Sequence, residues 1–260
     1  MAVCQYRETL GSLLYPGGTQ SLQAFEPTVE LAERLLCLKP HQRHRTLWRL
    51  DAGFGSDDAI NWLLARDYQL LTKGYNSRRA QKVVRHTASD AWQTVRANRR
   101  WVAMVPNEVR YARCTQTLAL RWLTETGKEK CALLIHTLFH LTPLEVLACY
   151  DARGGMEVEI KQDKVGLQLL RRRKHRWAAQ EAWVILTDVA HDLLTWSHDW
   201  MWTGSRFETY GHLRLVHDVL SIPGHLEFKG DKLQKVALSR THPFAPEMQN
   251  CLKRLLTELC

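Results

Sequence analysis

Residues 46–72 constrain the fold more than any other stretch of the chain, because they read as strand, turn, helix and strand in unbroken succession. Residues 46–50, Thr-Leu-Trp-Arg-Leu, have the character of a buried strand, with Asp51 at its carboxyl end. Gly53 and Gly55 supply a turn, and Ser56 is placed to cap the helix after it. Asp57 and Asp58 suit the positive first turn of that helix, and Ile60, Leu63 and Leu64 form its apolar face. Residues 69–72 make the next short strand, which Lys73-Gly74 ends. Strands joined through a helix belong to an α/β sheet. In open sheets of that class, sites form outside the carboxyl ends of the strands, which is where Asp51 stands.

A second constraint lies downstream. Thr142-Pro143-Leu144-Glu145 combines a Thr cap, Pro at the first helical position and Glu three residues after the cap. Tyr150, Arg153, Glu157 and Lys164 follow with the spacing Y-x2-R-x3-E-x6-K. On one helix, at about 100° per residue, they fall within an arc of about 60°. A core-facing stripe would be apolar, so an aromatic ring, a guanidinium, a carboxylate and an ammonium on one face suggest a working surface. Two features oppose a continuous helix. Gly154-Gly155 costs about 1 kcal/mol per residue relative to Ala, and residues 156–160 alternate with the period of a strand. The capping box favours a helix. A break at Gly154 would turn Tyr150 and Arg153 away from Glu157.

Elsewhere, residues 6–15 read as a strand leading to the Pro16-Gly17-Gly18 turn, and residues 27–37 as a helix starting near Pro27. Residues 75–130 have a β-rich texture, with strands expected at 101–105, 110–114 and 117–122. Residues 132–137 suit a strand or a buried helix. A long amphipathic helix is expected over 178–203, short strands over 226–228 and 236–238, and a closing helix over 246–258.

Charge points to a polyanionic partner. The 260 residues carry a formal net charge of +9. Residues 76–122 hold ten Arg or Lys against two acids, and residues 161–176 hold seven against one. Arg binds two phosphate oxygens at once, so Arg-dominated clusters suit nucleic acid. The interleaved Trp92, Trp101, Tyr111 and Trp122 could stack on unpaired bases. The seven Cys are odd in number and include no C-x-x-C, which reads as reduced thiols in a cytoplasmic protein. There is no apolar run of membrane-spanning length and no apolar signal core at the start. No Walker loop, dinucleotide fingerprint or G-x-S-x-G is present. His136 and His140 are four apart, but no H-E-x-x-H supports them as zinc ligands.

With the quartet, the strand ending in Asp51, the run Arg171-Arg172-Arg173-Lys174-His175-Arg176, the Ala-Ala-Gln-Glu at 178–181 and Leu215-Val216-His217-Asp218-Val219 before Ile222-Pro223-Gly224, the chain resembles a bacterial insertion-sequence transposase of the DDE type, the group marked by a Y-R-E-K signature. The resemblance spans nearly the whole chain. It implies a ribonuclease-H-like α/β fold, a mixed sheet flanked by helices. Residues 1–74 and 131–205 would form the catalytic domain, 75–130 a β-rich insertion between the second Asp and the Glu, and 206–260 a C-terminal region. It further implies Asp51 and Glu157 as catalytic residues and ligands of Mg2+ or Mn2+. Tyr150, Arg153, Lys164, Arg171, Arg172, Arg173, Lys174 and Arg176 would contact DNA. The implied partners are double-stranded DNA, at transposon ends and target, and a second copy in a synaptic homodimer, in a bacterial cytoplasm and on the nucleoid when bound. A Trp of the insertion would receive a flipped base.

One departure stands out. The family uses three carboxylates, and this chain has no Asp before Asp51; its early acids are Glu8, Glu26, Glu30 and Glu33. The first strands of the fold are therefore expected to be missing, and the chain to be an incomplete copy of a transposase whose activity the missing carboxylate puts in question. Two alternatives remain: a catalytically dead DNA-binding remnant, and a ribonuclease-H-like nuclease.

Overall fold

The structure, a computed structural model, describes residues 2–3, 7–95, 99–152, 154–171 and 175–259. Its elements in chain order are β1 (Ala2–Val3), β2 (Glu8–Thr9), α1 (Ser21–Leu35), β3 (Leu47–Leu50), α2 (Asp57–Ala65), β4 (Gln69–Lys73), α3 (Ser77–His86), β5 (Gln93–Val95), β6 (Arg100–Val105), β7 (Gln116–Leu123), β8 (Glu129–His136), α4 (Pro143–Asp151), α5 (Gly154–Gly166), α6 (Trp177–Ser197), α7 (His212–Arg214), β9 (Gly224–Lys229), β10 (Lys232–Leu238) and α8 (Ala245–Leu259). They form two compact units: a sheet unit, residues 15–154, and a helical unit, residues 1–14 with 155–260.

The sheet unit is built on six strands in the order β3-β4-β8-β7-β6-β5. β3 and β4 are parallel, joined through α2, and every later pair is antiparallel. This is a mixed α/β sheet flanked by helices, consistent with a ribonuclease-H-like fold. Because side chains alternate across a strand, each buried strand feeds both faces. Leu70, Ala103, Ala119, Leu133 and Ile135 pack with Phe25, Val29, Ile60, Leu63, Val83 and Val84 from α1–α3. Leu71, Val102, Leu118, Leu120 and Leu134 pack on the other face with Val146 and Leu147 of α4. The strands of the β-rich stretch thus continue the sheet that begins with β3, through the β4–β8 pair.

The helical unit buries Leu194, Trp202, Phe207, Tyr210, Leu215, Val219, Met248 and Cys251 around α6, α7 and α8. π-helical turns follow α6 over His198–Trp202 and α7 over Leu215–Val219. The β9–β10 hairpin is mostly exposed and turns at Gly230, whose φ of 61° is costly for any side chain. Among the described residues, no helix is long and apolar enough to cross a membrane.

Several local expectations change. Helix α1 starts at Ser21 rather than near Pro27 and carries Pro27 inside it, because Phe25 is needed in the core, where it meets Phe54 and Trp62. Residues 110–114 form no strand. Tyr111 donates to Asp57, Asn61 accepts from the Ala112 N–H and Arg113 pairs with Asp67, so side-chain bonds to α2 and the turn after it hold this stretch. The long helix ends at Ser197, six residues early, where the π turn begins. The strand expected over 6–15 shrinks to β2. β8, β9, β10 and α8 form where strands and a closing helix were expected.

Candidate active site

Asp51 directly follows β3, with Leu50 in register opposite Thr72 of β4. Its carboxylate is exposed and accepts the Gly53 N–H at 2.9 Å, capping a single 3-10 turn, Ala52–Phe54. That turn requires glycine at one position. A Cβ on Gly55 would stand 1.9 Å from the Lys73 carbonyl oxygen, so no side chain fits between the ends of β3 and β4. The Gly55 carbonyl in turn accepts the Tyr75 N–H at 2.9 Å. Asp51 is thereby held by two adjacent strand ends. An exposed carboxylate with hard oxygen donors has the chemistry Mg2+ or Mn2+ prefers.

Tyr150 lies in the same unit, near the end of α4, half-buried against the cluster around Leu71 and Leu118. The Arg49 guanidinium ties this helix end to β3 through the Cys149 carbonyl at 2.7 Å. The helix closes there: Asp151 is its last residue and Ala152 its C-cap. A second helix, α5, begins at Gly154. The single helix expected to carry the whole quartet is therefore two helices, in agreement with the cost of the Gly pair. The alternation over 156–160 stays helical, within α5. Arg153 lies outside the described residues.

Glu157 and Lys164 stand on α5, in the helical unit. Seven residues apart, they project within about 20° of each other, and both are exposed. Glu157 and Lys164 thus share α5 in the helical unit, while Asp51 and Tyr150 lie in the sheet unit. Arg171 is exposed and donates to Gln168 at 3.4 Å; Arg176 is exposed at the start of α6. Arg172, Arg173 and Lys174 lie outside the described residues.

The basic stretch of the sheet unit is partly used internally. Arg79 pairs with Asp57, Lys82 with Glu108, Arg100 with Asp151 and Arg113 with Asp67. Arg121 lies over both Trp92 and Trp101, at 4.5 and 5.0 Å, and Lys73 lies 5.5 Å from the Trp122 ring. The three Trp considered for a flipped base are therefore each engaged by a cation of the protein itself. Arg78, Arg85, Arg99 and Arg110 remain exposed and outside any ion pair of the described residues.

Sequence reasoning missed one cluster. Asp163, on the side of α5 away from Glu157, is buried with His191 of α6 and His212 of α7. Burial alone would raise the Asp163 carboxyl, but hydrogen bonds from both imidazoles and their charge hold it below the usual range. Burial alone would lower His191, and its bond to Asp163 outweighs that and raises it. The three residues are far apart in sequence, at 28 and 49 positions from Asp163, so no local motif announces them. The His136–His140 pair makes no such cluster: His136 ends β8 and His140 lies in the turn after it.

The family model described as Transposase DDE domain group 1 matches residues 5–259. No curated protein matches the chain.

Proposed function

The chain belongs to the group 1 family of DDE transposase domains, and from that premise we propose that it takes part in DNA transposition of an insertion sequence, with Asp51 and Glu157 as its two catalytic carboxylates. The intact activity is cleavage at transposon ends and joining of the freed 3′ hydroxyl to target DNA. The observation that carries this reading is the build of the Asp51 turn. A carboxylate is exposed at the carboxyl end of a sheet strand and accepts the Gly53 N–H, in a turn that Gly55 closes against the Lys73 carbonyl, where a Cβ has no room.

Asp51 and Glu157 would hold the divalent ion that such enzymes use, which when bound supplies Lewis-acid polarisation of water and phosphate. The protein's own contribution is positional. Lys164 and Arg153 would bind phosphates of the DNA, and Tyr150 would contribute a contact to it. Arg171, Arg172, Arg173, Lys174 and Arg176 hold flanking backbone by charge. Two copies of the chain would pair the transposon ends in a synaptic complex.

A second reading has its own observation: these 260 residues contain no Asp before Asp51. With two of three carboxylates, the polypeptide binds DNA and cuts it slowly or not at all. The outer edge of β3, the strand that delivers Asp51, pairs with no other strand among the described residues. An unpaired edge is where a further strand bearing the third carboxylate would add.

One plasmid assay tests both readings, with the chain incubated with supercoiled DNA bearing the element's ends in Mg2+ or Mn2+. Nicking that disappears in both Asp51→Asn and Glu157→Gln, with DNA binding retained, supports the catalytic assignment. Nicking at the wild-type rate in either variant removes that residue from the site. Binding without any nicking selects the DNA-binding remnant.

A further inference from the structure

We propose that Asp163, His191 and His212 form a binding site for a Zn2+-class transition-metal ion, separate from Asp51 and Glu157 and independent of the catalytic reading. The donor geometry carries it. His191 Nε2 lies 2.9 Å from the Arg7 carbonyl oxygen, which can only accept, so Nε2 holds the ring proton. Nδ1 of the same ring then faces both oxygens of the Asp163 carboxylate, at 2.9 and 3.0 Å. His212 Nδ1 faces one of those oxygens at 3.3 Å. With Nε2–H committed to the Arg7 carbonyl, His191 Nδ1 can face the buried carboxylate only with a second ring proton or a metal ion between them.

Three features favour the ion. First, the three donor atoms lie within 4.8 Å of one another. Zinc bonds of about 2.0–2.2 Å in tetrahedral geometry set donors about 3.3 Å apart, so small side-chain shifts complete the triangle. Second, an Nε2–H donated to a backbone carbonyl while Nδ1 faces the site is the support that metal-binding histidines typically have. Third, there is a path. His212 lines a cleft of about 630 Å3 that also presents the carboxylates of Glu8, Glu159, Asp199 and Glu208. Gln162, beside Asp163 in sequence, lines the same cleft, and its side-chain oxygen is buried with no hydrogen-bond partner among the described residues. The cleft leaves the fourth position to water or to that oxygen. Two nitrogens and one oxygen suit Zn2+, Co2+ or Ni2+, whereas Mg2+ prefers an all-oxygen shell.

The experiment uses the full chain, stripped with chelator and titrated with Co2+ in the presence of excess Mg2+. The expected result is one ion per chain, with a tetrahedral nitrogen–oxygen cobalt spectrum displaced by Zn2+. Affinity should fall at least about tenfold in both His212→Ala and Asp163→Asn, and stay unchanged in Asp51→Asn and in His86→Ala, an exposed control. Far-UV circular dichroism verifies that the variants fold, and His191→Ala replaces either one that does not. No saturable site in the wild type, a thiolate charge-transfer band, displacement by Mg2+, or full binding in both folded variants would each overturn the proposal.

Discussion

At the scale of single residues, the Asp51 turn depends on a close approach rather than on a strong interaction. The carboxylate makes one backbone hydrogen bond, to Gly53, and Gly55 lets two strand ends meet. In Gly55→Ala the new methyl would collide with the Lys73 backbone, which cannot swing aside as a side chain would. We expect a loss of about 1–3 kcal/mol, typical of overpacking, read as a lower urea midpoint. A midpoint equal to wild type would mean that the turn is free to open. Glu157 is exposed on α5, and Gln keeps its size and its hydrogen-bonding capacity, so Glu157→Gln should leave the unfolding free energy within about 0.5 kcal/mol of wild type. A larger loss would give it a structural role.

At the scale of elements, β8 carries a pH-sensitive group. His136 is buried, accepts the Leu138 N–H on Nδ1, and has no partner for Nε2 among the described residues. Burial lowers its pKa from 6.5 to about 4. The folded value lies below the unfolded one, so as pH falls through 6.5 the unfolded chain takes up the proton first. The contribution is complete above about pH 6.5 and is lost as pH falls towards 4. That separation corresponds to at most about 3 kcal/mol. In His136→Leu the decline of the urea midpoint between pH 7 and pH 4.5 should be visibly shallower than in wild type. Parallel curves would show that His136 does not titrate in this range. The same scale holds the clearest local agreement and disagreement. Thr142 accepts the Glu145 N–H and the Glu145 carboxylate receives the Thr142 N–H, the capping box legible in four letters. The end of that helix at Asp151 was legible only as a conflict, between a glycine pair that breaks helices and a quartet whose spacing asks for one.

At the scale of the whole molecule, the 36 Lys and Arg overstate the cations free to meet a polyanion. Cations in internal ion pairs or over Trp rings release fewer counterions than exposed ones. Arg171→Ala combined with Arg176→Ala should therefore reduce the slope of log affinity against log salt by about 2, at about 0.9 per phosphate contact. Arg79→Ala, which breaks the pair with Asp57, should leave that slope unchanged while lowering stability. Equal slopes in wild type and the double variant would remove the 171–176 run from the DNA surface.

What the sequence determined by itself was whatever neighbours along the chain can enforce. The β3–α2–β4 unit, the position of Asp51 at a strand end, the caps of α2 and α4 and the excess of positive charge all rest on spacings of a few residues. Tertiary structure decided what depends on partners distant in sequence. The strands after α3 extend the first sheet because β8 finds the open edge of β4. Residues 110–114 lose their strand to side-chain bonds with α2 and the turn after it. Arg79, Lys82, Arg100 and Arg113 are matched by acids far along the chain. Asp163 meets His191 and His212 only when three helices pack. A spacing records the geometry of one element, whereas a buried pair exists only once elements have paid their ordering entropy and closed on each other.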